Sequence, residues 1–308
     1  MKKDLRIIYM GTPEFAVPSL EILINHGWNV VAVITAPDKP KGRGQKMIPS
    51  PVKECALKYD IPVLQPTNLK SPEFLEDLKN FHADIQVVVA FRMLPEVVWN
   101  MPPKGTFNLH ASLLPNYRGA APINWAIING EKETGITTFF LKHEIDTGSI
   151  IFQEKEPILE EDNIGSLYER LMNKGANLVL KTIEAVAEGN IEAKPQDERM
   201  AIHHAPKIFK ETCEIHWEKQ AKEIHNLVRG LSPYPAAWTT LDGKNCKIFR
   251  TEIANSNVEG MEPGKFQTDG KTYLKFQTGE GCINILELQL EGKKRLGIEE
   301  FLRGYKMS

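Results

Sequence analysis

The run IQVVVAF at residues 85–91 limits the fold more than any other stretch of the chain. It is too short for a core helix and dense in β-branched residues, and it is apolar at every position except Gln86. Such a run suits a strand covered on both faces. Residues 5–10 (LRIIYM) and 29–35 (NVVAVIT) have the same character. Between those two, residues 13–26 place Phe15, Val17, Leu20, Leu23 and Ile24 near helical spacing and close at Gly27. Residues 106–110 and 136–141 read as further strands, and residues 163–188 as a long helix stopped by Gly189. Strands separated by helices imply βαβ units and a mostly parallel, doubly wound α/β sheet. Sheets of this kind gather ligands beyond the carboxyl ends of their strands.

The pattern changes after Gly189. Residues 191–206 are irregular, polar and flanked by prolines. A helix is expected over residues 218–229, stopped by Gly230 and Pro233. Short alternating stretches follow at residues 238–241, 247–250, 273–276 and 283–287. Asp242-Gly243, Pro263-Gly264, Asp269-Gly270 and the GEG at residues 279–281 separate them with turn chemistry. This spacing predicts a small all-β barrel. A chain of 308 residues has room for both parts. The expected division is a catalytic domain over residues 1–189, a linker over 190–207 and a C-terminal β-barrel over 208–308.

Composition removes several classes of function. No apolar run approaches the roughly 20 residues that a membrane helix needs. Lys2 and Lys3 precede only the short run at residues 7–10, not the longer stretch of a secretory signal. A cytoplasmic location is therefore expected. Cys55, Cys213, Cys246 and Cys282 stand alone, without the close pairing of a zinc knuckle, and His203-His204 lacks spaced partners. No metal site is expected. The formal net charge of −2 argues against a globally basic nucleic-acid binder but leaves room for local basic patches.

The first strand-to-helix turn carries Gly11-Thr12-Pro13 rather than the G-x-G-x-x-G of a dinucleotide site, so nicotinamide or flavin chemistry is disfavoured. The richest segment is NLHASLLPNYRG, residues 108–119. Period-two alternation puts Asn108 and His110 on one side of a strand end. An amide and an imidazole together can donate to an oxygen that gains negative charge, although they can equally be a satisfied loop pair. Ser112, Leu113, Leu114 and Pro115 make an apolar loop suited to a flat aromatic ligand. Arg118 can fix the following turn or meet an anion. On the HEIDTG loop, residues 143–148, Asp146 is a candidate to face and orient His110. Glu144 and His143 are rivals there, and Asp-Thr-Gly is also ordinary turn composition. Lys39, Lys41, Arg43 and Lys46 lie on a long basic loop at residues 37–46, opposed only by Asp38. Such a loop is either solvated or grips a phosphate backbone.

Taken together, these motifs resemble the 10-formyltetrahydrofolate-dependent formyltransferase family, over nearly the whole chain. The resemblance is carried by Met10-Gly11-Thr12-Pro13 with Phe15, by the 108–119 segment running into Ala120-Ala121-Pro122-Ile123, and by Asp146-Thr147-Gly148. Ala205-Pro206-Lys207-Ile208, Ile215 with Trp217, and IHNLVRGL at residues 224–231 narrow it to the branch that acts on transfer RNA. The resemblance implies a doubly wound domain followed by a barrel of the oligonucleotide-binding type. It implies Asn108, His110 and Asp146 as the catalytic trio. Ser112, Leu113, Leu114 and Pro115 match the folate-binding stretch, with Phe91, Arg92 and Met93 bordering it. Lys39, Lys41, Arg43 and Lys46 match an insertion reaching toward transfer RNA.

Two positions depart from the family pattern. Ala90-Phe91-Arg92-Met93 stands where the family usually has an Ala-Tyr-Gly type of stretch, and Ala236 stands where glycine is frequent after Pro235. The implied reaction is direct formyl transfer from 10-formyltetrahydrofolate to the amine of initiator methionyl-tRNA, with neither an acyl-enzyme nor a metal. The alternatives are the same folate chemistry on a small amine, such as an amino sugar nucleotide, and a non-catalytic transfer-RNA binder.

Overall fold

A computed structural model describes residues 4–41, 45–254 and 260–305, the side chains of Lys41 and Lys46 excepted. By its backbone contacts the chain divides into two units. One comprises residues 1–119, 135–156 and 168–204, and the other residues 120–134, 157–167 and 205–308.

The first unit is built on β1 (Arg6–Gly11), β2 (Asn29–Ile34), β3 (Lys39–Lys41), β4 (Lys46–Ile48), β5 (Val63–Leu64), β6 (Ile85–Val89), β7 (Thr106–His110), β8 (Arg118–Gly119), β9 (Glu133–Phe140) and β10 (Ile150–Pro157). Its helices are α1 (Val17–Asn25), α2 (Pro51–Lys58), α3 (Pro72–Asn80), α4 (Glu96–Trp99) and, from Tyr168 on, the long helix Ile164–Glu188. Seven strands form one sheet in the order β10-β9-β7-β6-β1-β2-β5. β1 pairs in parallel with β2 and β6, β6 with β7, and β2 with β5, whereas β9 runs antiparallel to β7. The sheet is therefore mostly parallel. β6 is buried at all five positions, as a strand covered on both faces must be. It ends at Val89, earlier than the apolar run does, because Ala90 turns to φ 47.

Helix starts follow capping chemistry. The Ser50 hydroxyl accepts from Lys53 N–H and Ser71 from Phe74 N–H, each followed by proline at the first helical position. The basic stretch, expected as an open loop, is instead a short hairpin in which β3 pairs antiparallel with β4. Asp38 at its base joins Lys53 at 2.7 Å and accepts from Gln65 at 2.7 Å. Hydrogen bonds from Lys53 and Gln65 hold the Asp38 carboxyl below the usual carboxylate range.

The second unit contains α5 (Pro122–Ile128), the start of α6 (Ile164–Glu188), the second residue of β11 (His204–Ala205), and α7 (Ala221–Leu231). It continues with β12 (Ala237–Leu241), β13 (Lys244–Ala254), β14 (Phe266–Thr268), β15 (Leu274–Gln277), β16 (Cys282–Leu290), β17 (Leu296–Gly297) and α8 (Ile298–Gly304). The strand order is β12-β13-β16-β15-β14, with β17 added on β16, and these strands pair antiparallel. Asp242 and Gly243 both take positive φ, which is the geometry of a two-residue hairpin turn between β12 and β13. The core joins Ile224, Val228 and Leu231 of α7 to Ile248, Phe276, Ile283 and Leu288 of the strands. Trp217 stacks on Phe276 at 4.3 Å between ring centroids. Ala236 sits at φ 75, a conformation in which glycine is unstrained.

Candidate active site

β7 delivers two polar side chains to the carboxyl end of the sheet. Asn108 and His110 are two residues apart on a regular strand, so their side chains leave the same face. Asn108 is half-buried, and its carboxamide has no hydrogen-bond partner among the described residues. His110 is only 6% exposed. Its Nε2 lies 2.8 Å from the carbonyl oxygen of Tyr117. A carbonyl only accepts, so Nε2 carries the proton. Nδ1 then faces Asp146 Oδ2 at 3.8 Å, close enough for charge attraction and too far for a direct hydrogen bond.

Asp146 reaches this place because its loop is bent at φ 56 and fastened from two sides. Its Oδ2 accepts from Gly119 N–H at 3.0 Å, and its own carbonyl accepts from Gln196 Nε2 at 2.7 Å. Gly148 completes the loop against Phe140. An added Cβ there would lie 1.6 Å from the Phe140 carbonyl oxygen, so the glycine is required for close approach and not merely for turn composition. Of the rivals on this loop, His143 pairs with Glu96 at 3.4 Å and is largely exposed, and Glu144 offers its carbonyl to Thr147.

The loop after β7 is tied down by several hydrogen bonds. The Ser112 hydroxyl is fully buried and donates to the Asn116 carbonyl at 2.7 Å. Thr137 Oγ1 donates to the Ser112 carbonyl and accepts from Leu114 N–H. Gln153 Nε2 donates to the Leu114 carbonyl at 2.8 Å. Leu114 is buried, while Leu113 and Pro115 remain half-exposed. Beyond β6, Phe91 is half-buried and Met93 is 72% exposed. The Arg92 guanidinium is bonded to the carbonyls of Pro66 and Thr67. Lys39 is exposed on the basic hairpin. Lys41 and Lys46 are placed by their backbone alone, and Arg43 lies outside the described residues.

Several positioning residues are not legible in the sequence. Arg118, read as fixing a turn or meeting an anion, meets an anion of the chain itself. It donates to Gln196 Oε1 and, as a fork, to both Glu198 oxygens at 2.8 Å. Those bonds hold the Glu198 carboxyl below its ordinary range. Asn116 Oδ1 accepts from Ile202 and His203 N–H, and the Tyr117 ring stacks on His203. Residues 194–203, within the segment expected as a linker, thus bond to both loops of the site. Their signal is confined to Gln196 and Glu198 in an otherwise irregular stretch. Among the described residues no group of three or more His, Cys, Asp or Glu side chains is arranged to hold a metal.

The arrangement offers an open amide donor and a buried imidazole with one free nitrogen opposite a carboxylate. It can stabilise negative charge on an oxygen and accept a proton beside it.

Residues 5–183 match the model of the formyl transferase family, and residues 207–306 match that of the formyl transferase C-terminal domain. The chain is similar to the methionyl-tRNA formyltransferase of Bacteroides fragilis, with 54% identity covering 100% of this chain and 97% of that protein. It is 56% identical to the protein of the same name from Phocaeicola vulgatus, covering 100% and 98% of the two chains. Among solved structures, the N-formyltransferase of Helicobacter canadensis, in complex with folinic acid and dTDP-3-aminofucose, superposes with a TM-score of 0.70. At 22% identity, covering 95% of this chain and all of that one, this likeness speaks for the fold alone.

Proposed function

The chain belongs to the formyl transferase family, and from that premise we propose that it transfers the formyl group of 10-formyltetrahydrofolate to the α-amino group of methionine on initiator methionyl-tRNA. The observation that carries this reading is the identity above 50% along the full chain to relatives that bear the name methionyl-tRNA formyltransferase. The reading places the protein in translation initiation, in the cytoplasm. No helix among the described residues is long and apolar enough to cross a membrane.

Asn108, His110 and Asp146 are the catalytic residues in this proposal. The folate supplies a formyl carbon already activated toward an amine. The Asn108 carboxamide donates to the formyl oxygen as negative charge develops there. Since Nε2 of His110 is occupied by Tyr117, only Nδ1 can reach the reacting group. Protonated at Nδ1, the imidazole would give the oxygen a second donor. Asp146 would balance that charge and take the proton released by the attacking amine. Collapse of the tetrahedral intermediate would then break the bond between the formyl carbon and N10 of the folate, which would leave as tetrahydrofolate with that proton on N10. Each donor of this kind is worth roughly 3–4 kcal/mol of barrier.

The folate would lie against Ser112, Leu113, Leu114 and Pro115, a loop that Thr137 and Gln153 tie down by hydrogen bonds. Phe91 and the backbones of Arg92 and Met93 would border it. The Arg92 guanidinium is already engaged by two carbonyls. The half-exposed Leu113 and Pro115 and the open Asn108 amide suit a flat, partly apolar donor that presents one carbonyl oxygen. Lys39, Lys41, Arg43 and Lys46 would meet transfer-RNA phosphates, and the antiparallel C-terminal unit would serve as a barrel of the oligonucleotide-binding type.

A radiolabelled formyl assay tests the substrate. Label from 10-formyltetrahydrofolate should pass to charged initiator methionyl-tRNA at least about a hundredfold faster than to a dTDP-amino sugar, since the two acceptors differ in every contact beyond the amine. Preference for the amino sugar would overturn the assignment.

A further inference from the structure

Resting on the formyl-transfer reading above, we infer that Gln196 is a positioning residue that sets the geometry of Asp146 and His110 together. Its carboxamide uses every hydrogen-bonding position it has. Nε2 donates to the carbonyls of Asp146 at 2.7 Å and Gly148 at 2.8 Å. Oε1 accepts from Arg118 Nε at 3.1 Å and Nη2 at 2.6 Å. Carbonyls only accept and guanidinium only donates, so the amide has one orientation, nitrogen toward the acid loop and oxygen toward Arg118.

This single side chain therefore ties together the two segments that flank the imidazole. Arg118 directly follows Tyr117, whose carbonyl holds His110 Nε2. It directly precedes Gly119, whose N–H holds the Asp146 carboxylate. Gln196 is itself anchored, because Lys194 exchanges two backbone hydrogen bonds with Ile150 at 2.7 and 2.8 Å. Arg118 is braced from its other side by Glu198. The 3.8 Å separation of Nδ1 and Oδ2 is the distance this clamp maintains. Gln196 touches neither reacting group, so its action runs through Asp146 and His110.

Gln196→Glu is the informative variant. It keeps the size and the acceptor toward Arg118 but turns an oxygen toward two carbonyl oxygens, so the 146–148 loop must be released. With methionyl-tRNA and 10-formyltetrahydrofolate saturating, kcat should fall at least about tenfold, with KM for both within about twofold. In an Asp146→Asn background the same change should lower kcat by less than about twofold further, because the carboxylate whose placement beside His110 it sets has gone. Hydrogen exchange of the backbone amides at residues 117–119 and 146–148 should quicken in Gln196→Glu and not elsewhere in the sheet. Gln196→Ala gives the same comparison should the carboxylate variant fail to fold. Unchanged exchange with wild-type kcat overturns the inference, as does an equal loss of kcat in both backgrounds. If the wild-type protein formylates no methionyl-tRNA, it is the functional reading that fails, and the exchange result still decides the clamp.

Discussion

His110 donates from Nε2 to the carbonyl of Tyr117 at 2.8 Å, and this one bond fixes which nitrogen is left for Asp146. Turning the ring over would break that bond, a hydrogen bond worth roughly 0.5–1.5 kcal/mol. Removing the ring removes both the donor and its orientation. His110→Ala is expected to lower kcat by about 10²–10³-fold with substrate binding largely intact. Asn108→Ala should lose a similar factor, because its carboxamide is the open donor on the same strand face. Steady-state kinetics with both substrates saturating checks this, and near-wild-type turnover in either variant would remove that residue from the proposed chemistry.

The basic hairpin permits a test that does not involve the chemical step. Replacing Lys39, Lys41, Arg43 and Lys46 with Ala should weaken transfer-RNA use and flatten its dependence on salt. Each cation that no longer neutralises a phosphate reduces the slope of log K against log salt by about 0.9, and folate KM should stay within about twofold. Titrating methionyl-tRNA affinity at several salt concentrations reads the slope, and an unchanged slope would count against a phosphate-binding role.

Some of this is legible in the sequence for clear physical reasons. A strand covered on both faces leaves a continuous apolar run, so β1, β2 and β6 stand out, and β7 is legible to the residue. Asn108 and His110 follow from period two. The Asp242-Gly243 turn is legible because few other pairs tolerate two positive φ angles. The basic hairpin is not, since two strands of three residues, Lys-Pro-Lys and Lys-Met-Ile, are too short to carry an alternation signal. Asp146 cannot be told from a turn residue by its neighbours, because its role depends on Gln196 fifty positions away and on Gly119. The 194–203 segment is held by side-chain and isolated backbone bonds rather than by any long regular element, and such bonds leave no periodic trace.

Gly148 illustrates what composition conceals. An alanine here would place its methyl 1.6 Å from the Phe140 carbonyl oxygen, which backbone movement alone must relieve. Gly148→Ala is expected to cost roughly 2–4 kcal/mol and to shift the Asp146 loop. Chemical denaturation would measure the first effect. The second should appear as a fall in kcat at a temperature where the variant is fully folded. A variant as stable and active as the wild type would show that the loop does not depend on this close approach.

Glu156 is a buried contributor to the acid limit of stability in the first unit. Glu156 is buried, with Arg170 and Lys174 each at 2.7 Å from one of its oxygens. Burial alone pushes its carboxyl up, but the hydrogen bonds from Lys174 and Arg170 outweigh that and hold it below the ordinary value of 4.5. A carboxyl whose folded value lies below its unfolded value stabilises the protein above the unfolded value. That stability is lost as pH falls through the folded value, where both states bind the proton. Glu156→Gln removes this contribution and leaves two cations short of an acceptor. It should cost about 1–3 kcal/mol at neutral pH. The gap between wild type and variant should stay constant down to about pH 5 and narrow below pH 4.5, as measured by urea denaturation across that range. A gap that widened on acidification would mean that the carboxyl is held above its ordinary value and that burial, not the ion pairs, dominates.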